Sequence, residues 1–271
     1  MIKKLIKLSF LFITLIAIMI LAGCEQIDTI ETDLPYHEKI VVRGVLEENK
    51  AIDGISFTRT LPLNETYSIQ RAELKDVVAY LKIGVKIIPL KYDRNGIYKP
   101  ITSIVPIKGM VYELYGKYDT KNIYAKTYVP TNPKIRSAYK ILDASGYYLK
   151  AEIQNQPEAV FGAKWIVMEN GTILYESDDL YSISEPTDDP NKTIHVRTPN
   201  IPKEIMNTFR NNISIRVYAF DKQYEEYFKT KNYSLPIKDS FIQSGGEVNW
   251  NIQGDGIGLF IGYSLTTLKV N

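Results

Sequence analysis

From Lys39 to Val270 the chain consists of short runs in which apolar and polar side chains alternate, and turn residues separate one run from the next. Ile40 to Leu46 is rich in β-branched residues. Ile55, Phe57 and Arg59 alternate with Ser56, Thr58 and Thr60. Val77, Ala79, Leu81 and Ile83 alternate with Val78, Tyr80 and Lys82, and Gly84 then turns the chain back through Val85 to Tyr92, which predicts a hairpin. Asp93-Arg94-Asn95-Gly96 is a second turn, because Asn-Gly supplies the positive φ that tight turns require. Further strands are predicted over residues 97–99, 111–118 and 123–128. That spacing, with no helical period between the runs, predicts an antiparallel β-sandwich over residues 39–130. Twenty tyrosines and nine phenylalanines favour the same class, since aromatic and β-branched side chains suit a pleated, half-buried surface.

Pro130-Thr131-Asn132-Pro133 breaks the pattern and places a domain boundary before residue 134. A second β-rich domain is expected over residues 134–271. Its strands are predicted at 135–142, 147–153, 164–168 and 173–175, the last pair joined by a hairpin turn at Glu169-Asn170-Gly171-Thr172. A polar loop follows over 177–192, then a short helix over 202–210 and a strand over 213–220 with Ile213, Ile215 and Val217 on one face. Asp221 is placed to N-cap a helix running to about Tyr233, on which Tyr224, Tyr227 and Phe228 share a side. A strand over 257–270 closes the chain. The fold class is mainly β with one or two short helices.

The first 23 residues have a different character. Lys3, Lys4 and Lys7 precede an apolar run from Leu8 to Leu21, followed by Ala22, Gly23 and Cys24. This is the pattern of a secretory signal, and at about 14 residues the run is shorter than the roughly 20 a membrane-spanning helix needs. Leu21-Ala22-Gly23-Cys24 resembles a bacterial lipoprotein processing site, with cleavage between Gly23 and Cys24 and fatty acyl chains (palmitate) attached through Cys24, the only cysteine. Each buried CH₂ contributes about 0.8 kcal/mol, so two or three chains hold a protein firmly at a membrane. Residues 24–38 then read as a polar tether. Asp28-Thr29-Ile30 within it resembles a short O-glycosylation site with Thr29 as acceptor. Loss of the three leader lysines leaves 30 basic residues against 31 acidic ones. No basic field remains to engage nucleic acid. With Cys24 lipidated no disulfide can form, and a hydrophobic core must hold the fold.

Val217-Tyr218-Ala219, Tyr224 to Phe228, and the stretch from Val248-Asn249-Trp250-Asn251-Ile252 through Gly254-Asp255-Gly256-Ile257-Gly258 to Leu259-Phe260-Ile261-Gly262 resemble the closing signature of a Bacteroidota outer-membrane lipoprotein family of unknown function. The lipoprotein site, tether and Ile-Val-Val strand are similar too. The resemblance implies an immunoglobulin/transthyretin-like first sandwich, an outer-membrane location and an accessory role beside TonB-dependent transporters. It brings no catalytic residues. Asp255 departs from the family pattern by interrupting a Gly-Gly pair, and the cysteines of some members are absent.

The residues themselves offer little catalytic chemistry. His37 falls in the tether and His195 on a predicted strand, without the spacing of zinc ligands. Asp178, Asp179, Glu185, Asp188 and Asp189 are hard oxygen donors of the type calcium takes, but their spacing matches no EF-hand, and a solvated loop is the plainer reading. Gly254 to Gly258 opens a strand where a phosphate cradle would open a helix. No cofactor and no enzymatic activity are expected. Aromatic side chains are better candidates for recognition, because they bury large areas at low entropic cost. Tyr147, Tyr148, Trp165, Tyr224, Tyr227 and Trp250 are the candidate ligand-facing residues, with core packing as the alternative for each. The expected function is a non-enzymatic binding or accessory subunit for a glycan, a peptide or a transporter partner. The alternative is a structural or adhesive envelope component, and a hydrolase stands third.

Overall fold

A computed structural model of the chain describes residues 36–62, 64–231 and 248–270. The signal, cleavage, lipidation and glycosylation assignments at Gly23, Cys24 and Thr29 lie outside the described residues. Glu38–Asn271 forms one compact unit. Among the described residues its elements are β1 (Ile40–Glu47), β2 (Ile55–Arg59), α1 (Ile69–Ala72), β3 (Val78–Ile83), β4 (Lys86–Arg94), β5 (Ile97–Pro100), β6 (Val111–Tyr118), β7 (Lys121–Tyr128), β8 (Ile135–Asp143), β9 (Gly146–Gln154), β10 (Ala159–Glu169), β11 (Thr172–Glu176), β12 (Thr193–Arg197), α2 (Lys203–Phe209), β13 (Ile213–Asp221), α3 (Tyr224–Thr230), β14 (Ile252–Gly254) and β15 (Gly256–Lys269). The protein is therefore mainly β, with short helices only. No described helix is long and apolar enough to cross a membrane.

The predicted turns form where Asn-Gly falls. Asn95 and Gly96 both take positive φ (51° and 73°), as do Asn170 and Gly171 (50° and 81°), and each pair closes a hairpin. Twelve strands make one mixed sheet in the order β11-β10-β13-β15-β1-β2-β5-β4-β3-β6-β7-β14, and β12-β9-β8 make a second, three-stranded sheet. The sequence predicts an antiparallel sandwich over residues 39–130, yet its first strand, β1, pairs in parallel with β15 of the C-terminal stretch, Ile40 beside Gly256 through Glu47 beside Tyr263. At the entry to β15, Ile40 N donates to Asp255 O, and both strands run on from that point in the same direction.

β15 serves both halves of the molecule. Its first part pairs with β1, and from Tyr263 to Lys269 it pairs with β13. One apolar cluster is built from β1 to β7 and takes in Ile252 and Phe260 from the C-terminal stretch. A second cluster lies between the β10–β13 part of the large sheet and the small sheet, with Met206 of α2 packed into it. This second region is a two-layer, sandwich-like packing. The Pro130–Pro133 segment, where the sequence places its boundary, is irregular and falls between β7 and β8. Ile252 and Phe260 nevertheless belong with the cluster on its N-terminal side.

The closing signature has a structural reason. Asn251 donates through Nδ2 to Phe260 O (2.6 Å) and accepts at Oδ1 from Phe260 N (2.8 Å), so its side-chain amide acts as a strand neighbour for Phe260. Asp255 accepts from Asn122 N (3.0 Å) and donates to Asn122 O (2.9 Å), fixing the β14–β15 link to the start of β7. At Gly258, φ is +117°, and a Cβ there would lie 2.0 Å from Val42 O. Only glycine lets β15 pass that close to β1.

A buried polar relay ties β15, β7 and β13 together. Gly262 N donates to Thr127 Oγ1 (2.7 Å), Thr127 donates to Asp221 Oδ2 (2.9 Å), and Tyr128 N donates to the same carboxylate oxygen (2.7 Å). Thr127 is fully buried and Asp221 nearly so. Burial pushes the Asp221 carboxyl up, against the pull of its hydrogen bonds. Asp221 was expected to N-cap the following helix. Gln223 holds that position instead, without a side-chain cap, because the Asp221 carboxylate is spent on β7 and on Gln223 N.

Candidate aromatic groove

The outward face of β13, β15, β1 and β2 is apolar over much of its width. Phe220, Ile261 and Val160 form a third buried cluster there, joined by Leu259, Tyr218 and Tyr263. At the β10 end Leu180 and Ile183 cover this face, both lying against Gly162. These two residues belong to the 177–192 loop, so its apolar residues hold it down while its acids face water. Towards β1 and β2 the cover ends, and a groove of about 750 Å³ opens. That volume lies within the range of small-molecule sites, roughly 300 to 1,000 Å³.

One wall of the groove is aromatic. Tyr224 stacks on Phe220 (4.3 Å between centroids), Tyr227 lies 5.6 Å from Tyr224, and Trp250 lies 5.6 Å from Tyr227. The short helix α3 positions the two tyrosines one turn apart, and the bonds from Asn251 to β15 fix the chain beside Trp250. Burial pushes the Tyr224 phenol up to about 12. The opposite wall and floor come from alternate residues of β1 and β15, namely Val41, Arg43, Val45, Ile257, Leu259 and Ile261. Ser56 and Thr58 of β2 lie opposite Arg43 and Val41 in the strand register.

The structure thus brings three of the candidate aromatics together: Tyr224, Tyr227 and Trp250. The other three go elsewhere. Trp165 is 5% exposed and faces the second cluster, its Nε1 donating to Asn200 O (3.2 Å). Both faces of β10 are buried, so no outward position was open to it. Tyr147 packs against the same cluster. Tyr148 lies beneath the Arg197 guanidinium, 3.7 Å from its ring centroid, and Tyr181 lies 4.6 Å from the same group. Arg197 therefore occupies the ring face that a ligand would need.

The four loop aspartates do not converge. Lys164 reaches the backbone of Asp178, Asp179 faces Lys231 at 3.7 Å, Asp188 lies towards Lys222, and Asp189 accepts from Asn191 N. Among the described residues no group of three or more His, Cys, Asp or Glu side chains gathers as a metal site would require. His195 sits on an exposed position of β12, and His37 is exposed. Glu38, the last residue assigned to the tether, binds Lys121 (2.7 Å) and Arg59 (3.3 Å), which hold its carboxyl below the usual range.

The sequence reading missed a row of tyrosines across β3, β6 and β7. Tyr80 stacks on Tyr115 (4.9 Å), and Tyr115 meets Tyr124 (5.0 Å), each pair directly opposed in register. Tyr115 and Tyr124 donate to Glu113, which pairs with Lys82 at 2.8 Å. The three rings share one phase of the strand alternation, but the register that aligns them is set by the hairpins and cannot be read from any one strand. It missed Arg43 as well, although the Val41-Arg43-Val45 phase of β1 is apolar on a side that should face water.

No protein-family model matches the chain, and no curated protein matches it.

Proposed function

We propose that this is a lipid-anchored protein of the bacterial outer membrane. On this reading Cys24 carries the acyl chains, residues 24–37 form the tether, and the unit beginning at Glu38 is a non-enzymatic binding or accessory subunit of a nutrient-uptake system, with a TonB-dependent transporter as partner. Two β domains, the first immunoglobulin- or transthyretin-like, share β15 between them. The observation that supports this reading is the aromatic groove. Tyr224, Tyr227 and Trp250, three side chains with large faces and little rotamer entropy to lose, converge on one open apolar trough. Asp221, the carboxylate raised by burial, points away from catalysis, since its oxygens are already taken by Thr127, Tyr128 and Gln223.

The test is a quantitative pull-down from native membranes with wild type and Cys24→Ala, followed by mass spectrometry. Recovery of a TonB-dependent transporter in near-equal amount with the wild type, and its loss with the soluble variant, is the expected result. Recovery of the lipidated protein alone refutes the accessory reading.

One observation favours the second reading, a structural or adhesive component. β11 ends the large sheet, pairs only with β10 among the described residues, and exposes Ile173, Leu174 and Tyr175. An open apolar edge of this kind accepts a neighbouring strand.

A further inference from the structure

We infer that the groove between α3 and β1 binds a small amphiphilic anion, an apolar body bearing one carboxylate, with Arg43 as the group that takes the charge. This rests on the binding reading above and adds the ligand class to it. None of the described lining residues is acidic. Arg59, at one end, is engaged by Glu38. Arg43 projects from the outward face of β1 between Val41 and Val45, and it makes no hydrogen bond or ion pair with any described residue. It also borders a neighbouring hollow that holds Glu47 and Asp53. It bonds to neither, and Glu47 already accepts from Tyr263 (2.8 Å) and Lys50 (3.4 Å).

Among the described lining residues Arg43 is thus the guanidinium with no carboxylate partner, and it stands at the edge of an apolar trough, whereas Arg59 gives Nη1 to Glu38 and keeps a buried Nε without a partner. Ser56 lies opposite Arg43 in register, and its hydroxyl makes no hydrogen bond with any described residue. A guanidinium binds a carboxylate through paired, charge-assisted hydrogen bonds, and a hydroxyl beside it supplies a further donor. The aromatic wall and the β15 aliphatics take the apolar body. A neutral sugar would leave the arginine unanswered, and a cation would be repelled by it.

The experiment compares three probes with the same tail, dodecanoate, dodecanol and dodecyltrimethylammonium, the two ionic ones below their micelle concentrations and the alcohol below its solubility limit. Binding to residues 38–271, which contain all three apolar clusters, is followed by calorimetry and by Trp250 fluorescence. The expected result is one saturable dodecanoate site, dodecanol binding about tenfold more weakly, and no binding of the cation. Arg43→Gln is expected to lower dodecanoate affinity about tenfold, leave dodecanol affinity unchanged and leave the melting temperature unchanged. Trp250→Phe is expected to remove the fluorescence change and to weaken dodecanoate and dodecanol binding alike, which locates the site at the aromatic wall. Equal affinity for dodecanoate and dodecanol, or dodecanoate binding indifferent to Arg43→Gln, overturns the anion assignment while leaving an apolar binding groove. Absence of binding by any probe overturns the inference altogether, and the membrane pull-down then decides the broader reading independently. Sedimentation with phosphatidylglycerol vesicles but not phosphatidylcholine vesicles, lost in Arg43→Gln, overturns the carboxylate assignment in favour of a phosphodiester headgroup. Titration by free dodecanoate without sedimentation assigns the anion to a soluble acid.

Discussion

Replacing Thr127 by valine keeps the shape of the side chain and removes one oxygen from the centre of the buried relay. The lost hydroxyl accepted from Gly262 N at 2.7 Å and donated to Asp221 at 2.9 Å. Gly262 N is then left buried without that acceptor, at about 1–3 kcal/mol, and the carboxylate loses one charge-assisted bond, worth about 1.5–3 kcal/mol. Together these predict a loss of about 3–5 kcal/mol, a large share of the roughly 5–15 kcal/mol by which domains are stable. Thr127→Ser keeps both bonds and removes one buried methyl group, for about 1 kcal/mol. Guanidinium unfolding followed by tryptophan fluorescence measures both, because Trp165 reports the second cluster and Trp250 the groove. The pH dependence adds a check. Burial raises the Asp221 carboxyl above its unfolded value of 3.8, so its contribution to stability is complete below that value and is lost as pH rises through the folded pKa. Removing a donor raises that pKa further and extends the loss to higher pH. If Thr127→Val is no less stable than Thr127→Ser, the relay does not join the strands as described.

Two further outcomes follow from the same architecture. Tyr224 and Tyr124 are each pushed up to about 12, chiefly by burial, against 10.0 when unfolded. Their contribution is present below pH 10 and is lost as pH rises from 10 through about 12. Unfolding free energy measured across that range should fall, and stability that stays flat refutes it. Gly258→Ala places a Cβ 2.0 Å from Val42 O in a backbone conformation that costs about 1–3 kcal/mol on its own. Because the obstacle is backbone, no rotamer change relieves it. The expected result is a loss of more than about 3 kcal/mol in chemical unfolding, and near-wild-type stability would show that β15 does not pass β1 at this distance.

The strands were legible because each reports on itself. Ile55 and Phe57 face the core in the phase that their alternation predicts, and Asn95-Gly96 and Asn170-Gly171 turn where expected. Trp165 was ambiguous because a strand buried on both faces carries no phase to read. Asp221 before an aromatic helix is a local capping signal, and one oxygen does accept from Gln223 N, but the partners of the other, Thr127 and Tyr128, become neighbours only through tertiary packing. The parallel pairing of β1 with β15 has no local signature, since no turn joins them and hydrogen bonds between distant strands leave no trace in composition. The groove inherits that difficulty, as Arg43 stands on the first strand and Leu259 on the last. Tyr224, Tyr227 and Trp250 stand among the aromatic candidates of the sequence, but nothing local sets them apart from Tyr147, Tyr148 and Trp165, and Phe220 beneath Tyr224 is not among them.

The placement of β15 also governs time. The first strand of the body waits for the last one: Ile40 finds its partner Gly256 only when the end of the chain has arrived. A chain cut off after residue 130 would lack Phe260 from its apolar cluster and a neighbour for β1. Until synthesis is nearly complete, β1 has no strand to lie against on that side, and loop closure across more than 200 residues delays the final step. Completion of the large sheet is thus a late event in the life of the chain, and the N-terminal strand depends on the C-terminal one for its second neighbour.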